Sequence, residues 1–428
     1  MSWRIGSLQP VLNRHALRSP ARWRTSRHRH SRRWATFTTE AHLPYSMITF
    51  RRLYPPFSSG ALRQFHWIRI TQLYHGSLMR QIEMRDHCRD YEELAGFWNR
   101  IWIPEYEGKT WVTVTDAGYC QWLVGSQSGA MCSAAYEGTK LVGSMFSVPH
   151  SLRVGSLVHA IGLTFGLTVD SDHRRIALPL VERLRRHSAE RGISFVLGTV
   201  ANDPTSPSHR FWTKYAEAFP QNLTFLFPVN YWGKVLAPLV LAKASVKPWE
   251  RLASRALGPL SPLTPYQYDR HVRSYRTSDL ERCGQILDKA AAGFDWALMW
   301  PPERLSHRLE GPVCETLVFE RNGRVQGLVN YNCFFMQGRE RVLAAMIALW
   351  ADDGLTGMQR VRFLGHTCNH LRARGVHLVV AQRSAMMPAA VFLANLFLPI
   401  PGLGRLAALW TGATMPLPLP KTWSLLAL

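Results

Sequence analysis

The chain has no Cys-x-x-Cys pair and no paired histidine spacing; its seven cysteines, Cys88, Cys120, Cys132, Cys283, Cys314, Cys333 and Cys368, are scattered and odd in number. This excludes a zinc site of ordinary spacing and a disulfide scaffold, so no metal is expected and the compartment is read as reducing and cytoplasmic. Acidic residues are also scarce, 29 against 51 Lys and Arg, for a net charge of +22. The shortage is sharpest in residues 1–80, where Glu40 stands alone against fourteen arginines, and no lysine occurs before Lys109. Such a segment reads first as a spurious or disordered extension, with Met79 standing just before the first convincing strand; a targeting segment and a nucleic-acid arm are the other readings. No nucleic-acid partner is inferred from charge alone. Unbroken apolar runs of membrane-spanning length are missing too. Residues 225–242 and 386–410 are rich in Leu, Phe and Ala, but proline and Lys234 or Asn395 interrupt them. They read as buried helices or domain-interface elements, with peripheral membrane contact as the second reading.

What is present supports large cores: 428 residues, 46% hydrophobic, with 16 Trp. Ile82-Glu-Met-Arg85 reads as an opening strand, and residues 91–102 as an amphipathic helix with Leu94, Phe97, Trp98 and Ile101 inward. Residues 136–149 read as strand, tight turn and strand. Residues 111–129 form an insertion that could wall a substrate site. The β-branched run 161–169 predicts a buried strand, and Leu178, Leu180, Val181 and Leu184 fall at helical spacing up to a stop at Gly192. Between them lies His173-Arg-Arg-Ile-Ala177, where unpaired amides and the positive helix end would meet an anion such as a pyrophosphate. A second strand, 193–200, leads to Asn202 and then to the aromatic helix containing Phe211, Trp212 and Tyr215.

Val169 followed by Arg174, then Asn202 and Ser208-His-Arg-Phe-Trp-Thr-Lys-Tyr215, resembles the two cofactor motifs of the GNAT acyltransferases in their usual order. The departures are Ala177 and Pro179, where that family carries Gly and Gly or Ala. The resemblance implies that Val169, Arg174, Arg175, Ile176 and Ala177 hold the diphosphate of acetyl-CoA or a longer acyl-CoA, with Asn202 and Phe211 along its pantetheine arm. It also implies oxyanion donors at a strand bulge near Gly166 and Leu167, and Tyr215 as the acid that protonates the leaving thiolate.

An internal repeat is visible. Glu320-Arg-Asn-Gly-Arg-Val-Gln-Gly327 echoes residues 136–143, and Ala373-Arg-Gly-Val-His-Leu-Val-Val380 echoes residues 190–197. After the second copy's strand 342–350 come Asp352 and Asp353, which would repel a pyrophosphate. The expected organisation is an extension (1–80), an acyl-CoA-binding domain (81–246), a linker (247–265) and a degenerate second domain (266–428). The expected class is α/β (α+β), two tandem GNAT-like domains, each a mixed, mostly antiparallel sheet flanked by helices. That tandem resembles the N-myristoyltransferases, which implies that the terminal carboxylate, here on Leu428, deprotonates the acceptor amine. The function expected is N-acyl transfer, of acetyl first, to a small-molecule or peptide amine. Long-chain transfer to an amino acid or peptide, and a non-catalytic binding or regulatory protein, are the alternatives.

Overall fold

One continuous sheet carries both halves of the chain. The computed structural model describes residues 82–86, 90–125, 127–256, 268–384, 386–412, 415 and 417–425; the basic segment 1–80, residues 257–265 of the expected linker and Leu428 lie outside them. The first half contributes β1 (Ile82–Arg85), α1 (Tyr91–Tyr106), β2 (Val112–Val114), α2 (Ala117–Cys120), β3 (Met131–Glu137), β4 (Lys140–Val154) and β5 (Leu157–Val169). It continues with α3 (Ala177–Glu190), β6 (Phe195–Ala201), α4 (Pro207–Ala218) and β7 (Leu223–Val235). Two helices, α5 (Pro238–Ala244) and α6 (Pro248–Ala256), lead out of it. The second half follows with β8 (Val272–Ser274), α7 (Leu280–Ala291), β9 (Trp296–Met299), α8 (Pro302–Glu310), β10 (Cys314–Arg321), β11 (Arg324–Gln337) and β12 (Arg341–Asp352). It closes with α9 (Gly357–Ala373), β13 (Leu378–Gln382), α10 (Ala389–Ala394), β14 (Leu398–Trp410) and β15 (Trp423–Ser424).

Strand order along the sheet is β1-β3-β4-β5-β6-β14-β7-β13-β12-β11-β10-β8. The series is symmetric about the β14–β7 pair, and along it only β5–β6 and β12–β13 run parallel. The repeat seen in sequence thus has a structural counterpart. Gly192 and Gly375 sit at equivalent ends of α3 and α9 with φ of 71° and 78°, a conformation glycine adopts without a Cβ penalty.

The halves are interlocked rather than merely adjacent. β14, the last long strand of the second half, lies between β6 and β7, and β7 in turn pairs with β13. Shorter exchanges repeat the theme, with β9 on β4 and β2 on β11. The two apolar stretches read from sequence as buried helices or domain-interface elements are therefore mostly these central strands, which corrects the helix reading alone and has a simple cause. Continuous apolar runs do not distinguish a two-sided buried strand from a buried helix. Two of their prolines fall at irregularities: Pro401 lies where the β14–β7 register shifts between Ile400 and Gly404, and Pro228 of β7 pairs with Arg405 beside the second shift, whereas Pro399 pairs in register with Trp232 and Pro238 and Pro388 stand at helix starts. Among the described residues no helix is long and apolar enough to cross a membrane.

Large side chains lock the centre. Trp410 is 1% exposed, packs against Phe195 at 5.2 Å and donates from Nε1 to Thr224 Oγ1 at 2.9 Å. Trp232 stacks on Phe392 at 5.3 Å. Because both halves share these strands, thermal and denaturant unfolding should each show one cooperative transition. Trp410→Ala should lower stability by about 3–5 kcal/mol and move that single transition as a unit; two separate transitions by circular dichroism would contradict the interlock.

Candidate functional site

β5 and β6 pair only from Ile161 with Phe195 to Leu163 with Leu197, and then diverge. A cavity of about 200 Å³ fills the gap, with Tyr106, Phe165, Gly166, Leu167, Ser208 and Trp212 on its walls. Its apolar floor comes from Met145, Val196 and Leu223 together with Ala407 and Leu409 of the inserted strand β14.

The wall carries a bulge. Ser144 of β4 pairs with Thr168 and Phe146 with Phe165, so β5 holds one extra residue in the segment of Gly166 and Leu167. Gly166 has φ of 74°, and a Cβ there would sit 2.5 Å from Trp98 Cζ2. Trp98 holds the bulge from beneath: its Nε1 donates to Ser144 Oγ at 3.0 Å, and that hydroxyl donates to the Gly166 carbonyl at 3.4 Å. A bulge leaves its extra residue outside the ladder and re-aims the local backbone.

The basic turn after β5 is a 3-10 helix, Ser171–Ile176. Several of its amides already have acceptors. The Asp172 and His173 amides donate to Asp170, and the Ala177 amide donates to the Arg174 carbonyl. No side chain caps α3, whose cap residue Ile176 and first residue Ala177 are buried and whose flank packs against Val169. Arg174 and Arg175 project outward and are exposed. Arg174 acts on the carboxyl of Glu105, as does Arg210 of α4; burial nonetheless holds that carboxyl above its usual range. The neighbouring Tyr106 is pushed up to about 12, chiefly by burial. Arg174 and Arg210 thus both act on Glu105, the residue that precedes the cavity-wall Tyr106 in α1.

Three residues expected at the site are placed elsewhere. Asn202 donates its amide to the carbonyls of Gly402 and Gly404, at 3.0 and 3.3 Å, tying down β14. Phe211 packs on Trp212 and Tyr215. Tyr215 is 4% exposed, lines neither cavity, and donates to Glu182 Oε1 at 2.5 Å; burial, with Glu182 adding to it, raises its phenol.

A second cavity of about 170 Å³ adjoins the first through Phe165. The 111–129 insertion supplies Thr113, Tyr119, Trp122, Leu123 and Gln127, and the second half supplies Trp300, Arg304, Arg308 and Asn332. His150, at the end of the β4 segment lining it, is 8% exposed, and its Nδ1 has no hydrogen-bond partner. Burial, with Arg304 and Arg308 adding repulsion, pushes this imidazole down to about 3. His150, Arg304 and Arg308 carried no signal in sequence. They are brought together across the two halves by β9, which pairs with β4 just before α8 begins.

No protein-family profile matches the sequence, and no curated protein matches it. Solved structures do. The fold is the GNAT fold in tandem, one mostly antiparallel sheet flanked by helices. In its two-half arrangement it matches Saccharomyces cerevisiae N-myristoyltransferase with bound myristoyl-CoA, with a TM-score of 0.62 at 12% identity over 77% of this chain and 83% of that one. A structure of the yeast protein with myristoyl-CoA and inhibitors gives 0.62 at 13% identity, covering 77% and 79%.

Two outcomes follow from this geometry. Tyr215→Phe should cost about 1–3 kcal/mol in denaturant unfolding, the value of a buried bond to a carboxylate, without altering either cavity. His150 titrates near 6.5 when unfolded and near 3 when folded. The unfolded chain therefore binds the proton first, and stability falls as pH drops from 6.5 toward 3, by about 1.4 kcal/mol per pH unit. Subtracting the profile of His150→Gln should isolate that slope, flat above pH 6.5; a difference that does not change with pH would rule it out.

Proposed function

We propose that this protein is an acyl-CoA-dependent N-acyltransferase, with the acyl group in the cavity between β5 and β6 and the acceptor amine in the adjoining one. The observation that carries this reading is the glycine bulge of β5 at the junction of the two cavities. Backbone amides of Gly166 and Leu167 there serve as fixed donors for the charge that develops on a thioester oxygen. The amine lone pair attacks the thioester carbonyl carbon and a C–N bond forms while the carbonyl electrons move onto oxygen. Collapse restores the C=O bond and breaks the C–S bond, and the departing thiolate receives the equivalent of the proton the amine gives up. Resemblance assigns the base to the Leu428 carboxylate; His150, which burial and two arginines keep from taking a proton, is too weak a base for that step. Arg174, Arg175 and Arg210 are the groups for the diphosphate, acting through side-chain charge more than through amides.

Acetyl-CoA or a longer acyl-CoA is the donor. The apolar floor reaching Leu223 and Leu409 favours a chain longer than acetyl, and the yeast proteins that share the fold hold myristoyl-CoA. The acceptor is a small-molecule or peptide amine.

Calorimetric titration with CoA, acetyl-CoA and longer acyl-CoAs, followed by thiol release on a panel of amines, tests the reading. Binding that tightens with chain length and releases thiol only with an amine is expected. Gly166→Ala should cut kcat/KM by roughly 10–100-fold, because a Cβ at this φ costs about 1–2 kcal/mol and displaces the donors. No CoA binding would instead mark a non-catalytic protein on this fold.

A further inference from the structure

Arg308 is 6% exposed, yet among the described residues it has no carboxylate within ion-pair distance. Its guanidinium lies over the Trp122 ring at 4.9 Å, and Nη2 donates to Asn332 Oδ1 at a long 3.4 Å. Its Nε is buried and has no partner. An isolated buried cation is costly, and folded proteins pair such groups as a rule. Arg304 shares the cavity, held by Gln127 Oε1 and the Ser128 carbonyl at 3.1 Å each, again with no acidic partner among the described residues. The nearby buried His150 adds an unpartnered nitrogen and no negative charge. Arg304, Arg308 and His150 thus face one small cavity walled in part by Tyr119, Trp122, Trp300 and Phe334, with no carboxylate among the described residues that line it.

We propose that this cavity recognises a carboxylate on the acceptor, so that the amine accepted is that of a free amino acid, its carboxylate held by Arg308 and Arg304 and its amine directed toward the β5 bulge. The guanidinium fork matches a carboxylate with two parallel N–H donors, and the aromatic walls suit an apolar side chain. The arginines are positioning residues: they fix the acceptor and leave the bond changes to the groups at the bulge. This inference rests on the acyltransferase reading, since only that reading makes the second cavity an acceptor site.

Kinetics with one acyl-CoA and four acceptors, leucine, phenylalanine and their carboxamides, test it. Wild-type protein should prefer the free acids by roughly 100-fold in kcat/KM, the scale for satisfying a buried charge. Arg304→Gln and Arg308→Met should raise KM for the acids and erase the preference, while acyl-CoA affinity by calorimetry stays as in wild type. Arg308→Lys should restore part of it. Arg304 is less buried, so its variant keeps the test open if the Arg308 variants fail to fold. Equal use of acids and amides by wild type, with acyl-CoA turnover intact, overturns the proposal and leaves the acyltransferase reading standing. Calorimetry with leucine and leucinamide on a chain ending at Leu425, which needs no turnover, separates the two sources of a carboxylate. If a preference for leucine appears only after that truncation, the anion belongs to the protein's own terminus and the proposal fails. If acyl-CoA does not bind at all, the acyltransferase reading fails, and titration with leucine against leucinamide decides the anion site alone: heat with the acid only upholds it, and heat with neither or both removes it.

Discussion

The pairing of β14 with both β6 and β7 is the interaction on which the rest of the molecule depends. It converts two repeats into one sheet, and it puts residues from the far end of the chain beneath the first cavity. Without Ala407 and Leu409, the gap between β5 and β6 would open onto a bare strand edge, an unpaired row of backbone groups rather than an apolar floor. The smaller exchanges of β9 and β2 do the same for the second cavity, whose wall is assembled from the 111–129 insertion on one side and α8 on the other. Neither half lines either cavity alone.

Charge is distributed to match. In the second half the carboxylates after β12 are satisfied internally: Asp352 pairs with Arg360 at 2.8 Å, and Asp353 with Arg282 at 2.5 Å and with Lys289. Asp352 also accepts the Leu355 amide at 3.2 Å. That turn has become a closed structural unit. The equivalent turn after β5 leaves Arg174 exposed, and Arg174 and Arg210 both act on the half-buried Glu105. The two turns hold equivalent places in the repeated order of strands and carry opposite charge. At the second cavity the imbalance is greater still, since Arg304 and Arg308 both meet polar neutral groups instead of carboxylates.

Much of the local architecture was legible along the chain. The order of strand, hairpin, strand, basic turn and helix follows from apolar periodicity and from glycines at helix ends, and the repeat spacing from Gly192 to Gly375 anticipated the symmetric sheet. The readings that needed revision share one cause. Residues 225–242 and 386–410 are apolar mainly because much of β7 and β14 is buried at the sheet centre, although Leu239, Leu393 and Leu398 are exposed, and composition reports burial without reporting which element is buried. Asn202 and Tyr215 sit where family motifs would put functional groups, but their partners, Gly402, Gly404 and Glu182, lie in strand β14 or on α3. A motif specifies a side chain and its local backbone; it does not specify what arrives opposite.

By itself the sequence determined the local conformations: where strands end, where helices stop, where glycine permits a left-handed residue at position 166, and which stretches must be buried. These depend on near neighbours and on steric and solvation preferences that each residue carries with it. Only the tertiary structure decided that β14 would cross between β6 and β7, that Trp98 would brace the bulge, and that His150, Arg304 and Arg308 would face one cavity. Those contacts join residues up to about two hundred positions apart, and their energy comes from shared burial of whole strands, a quantity that exists only once both halves have packed.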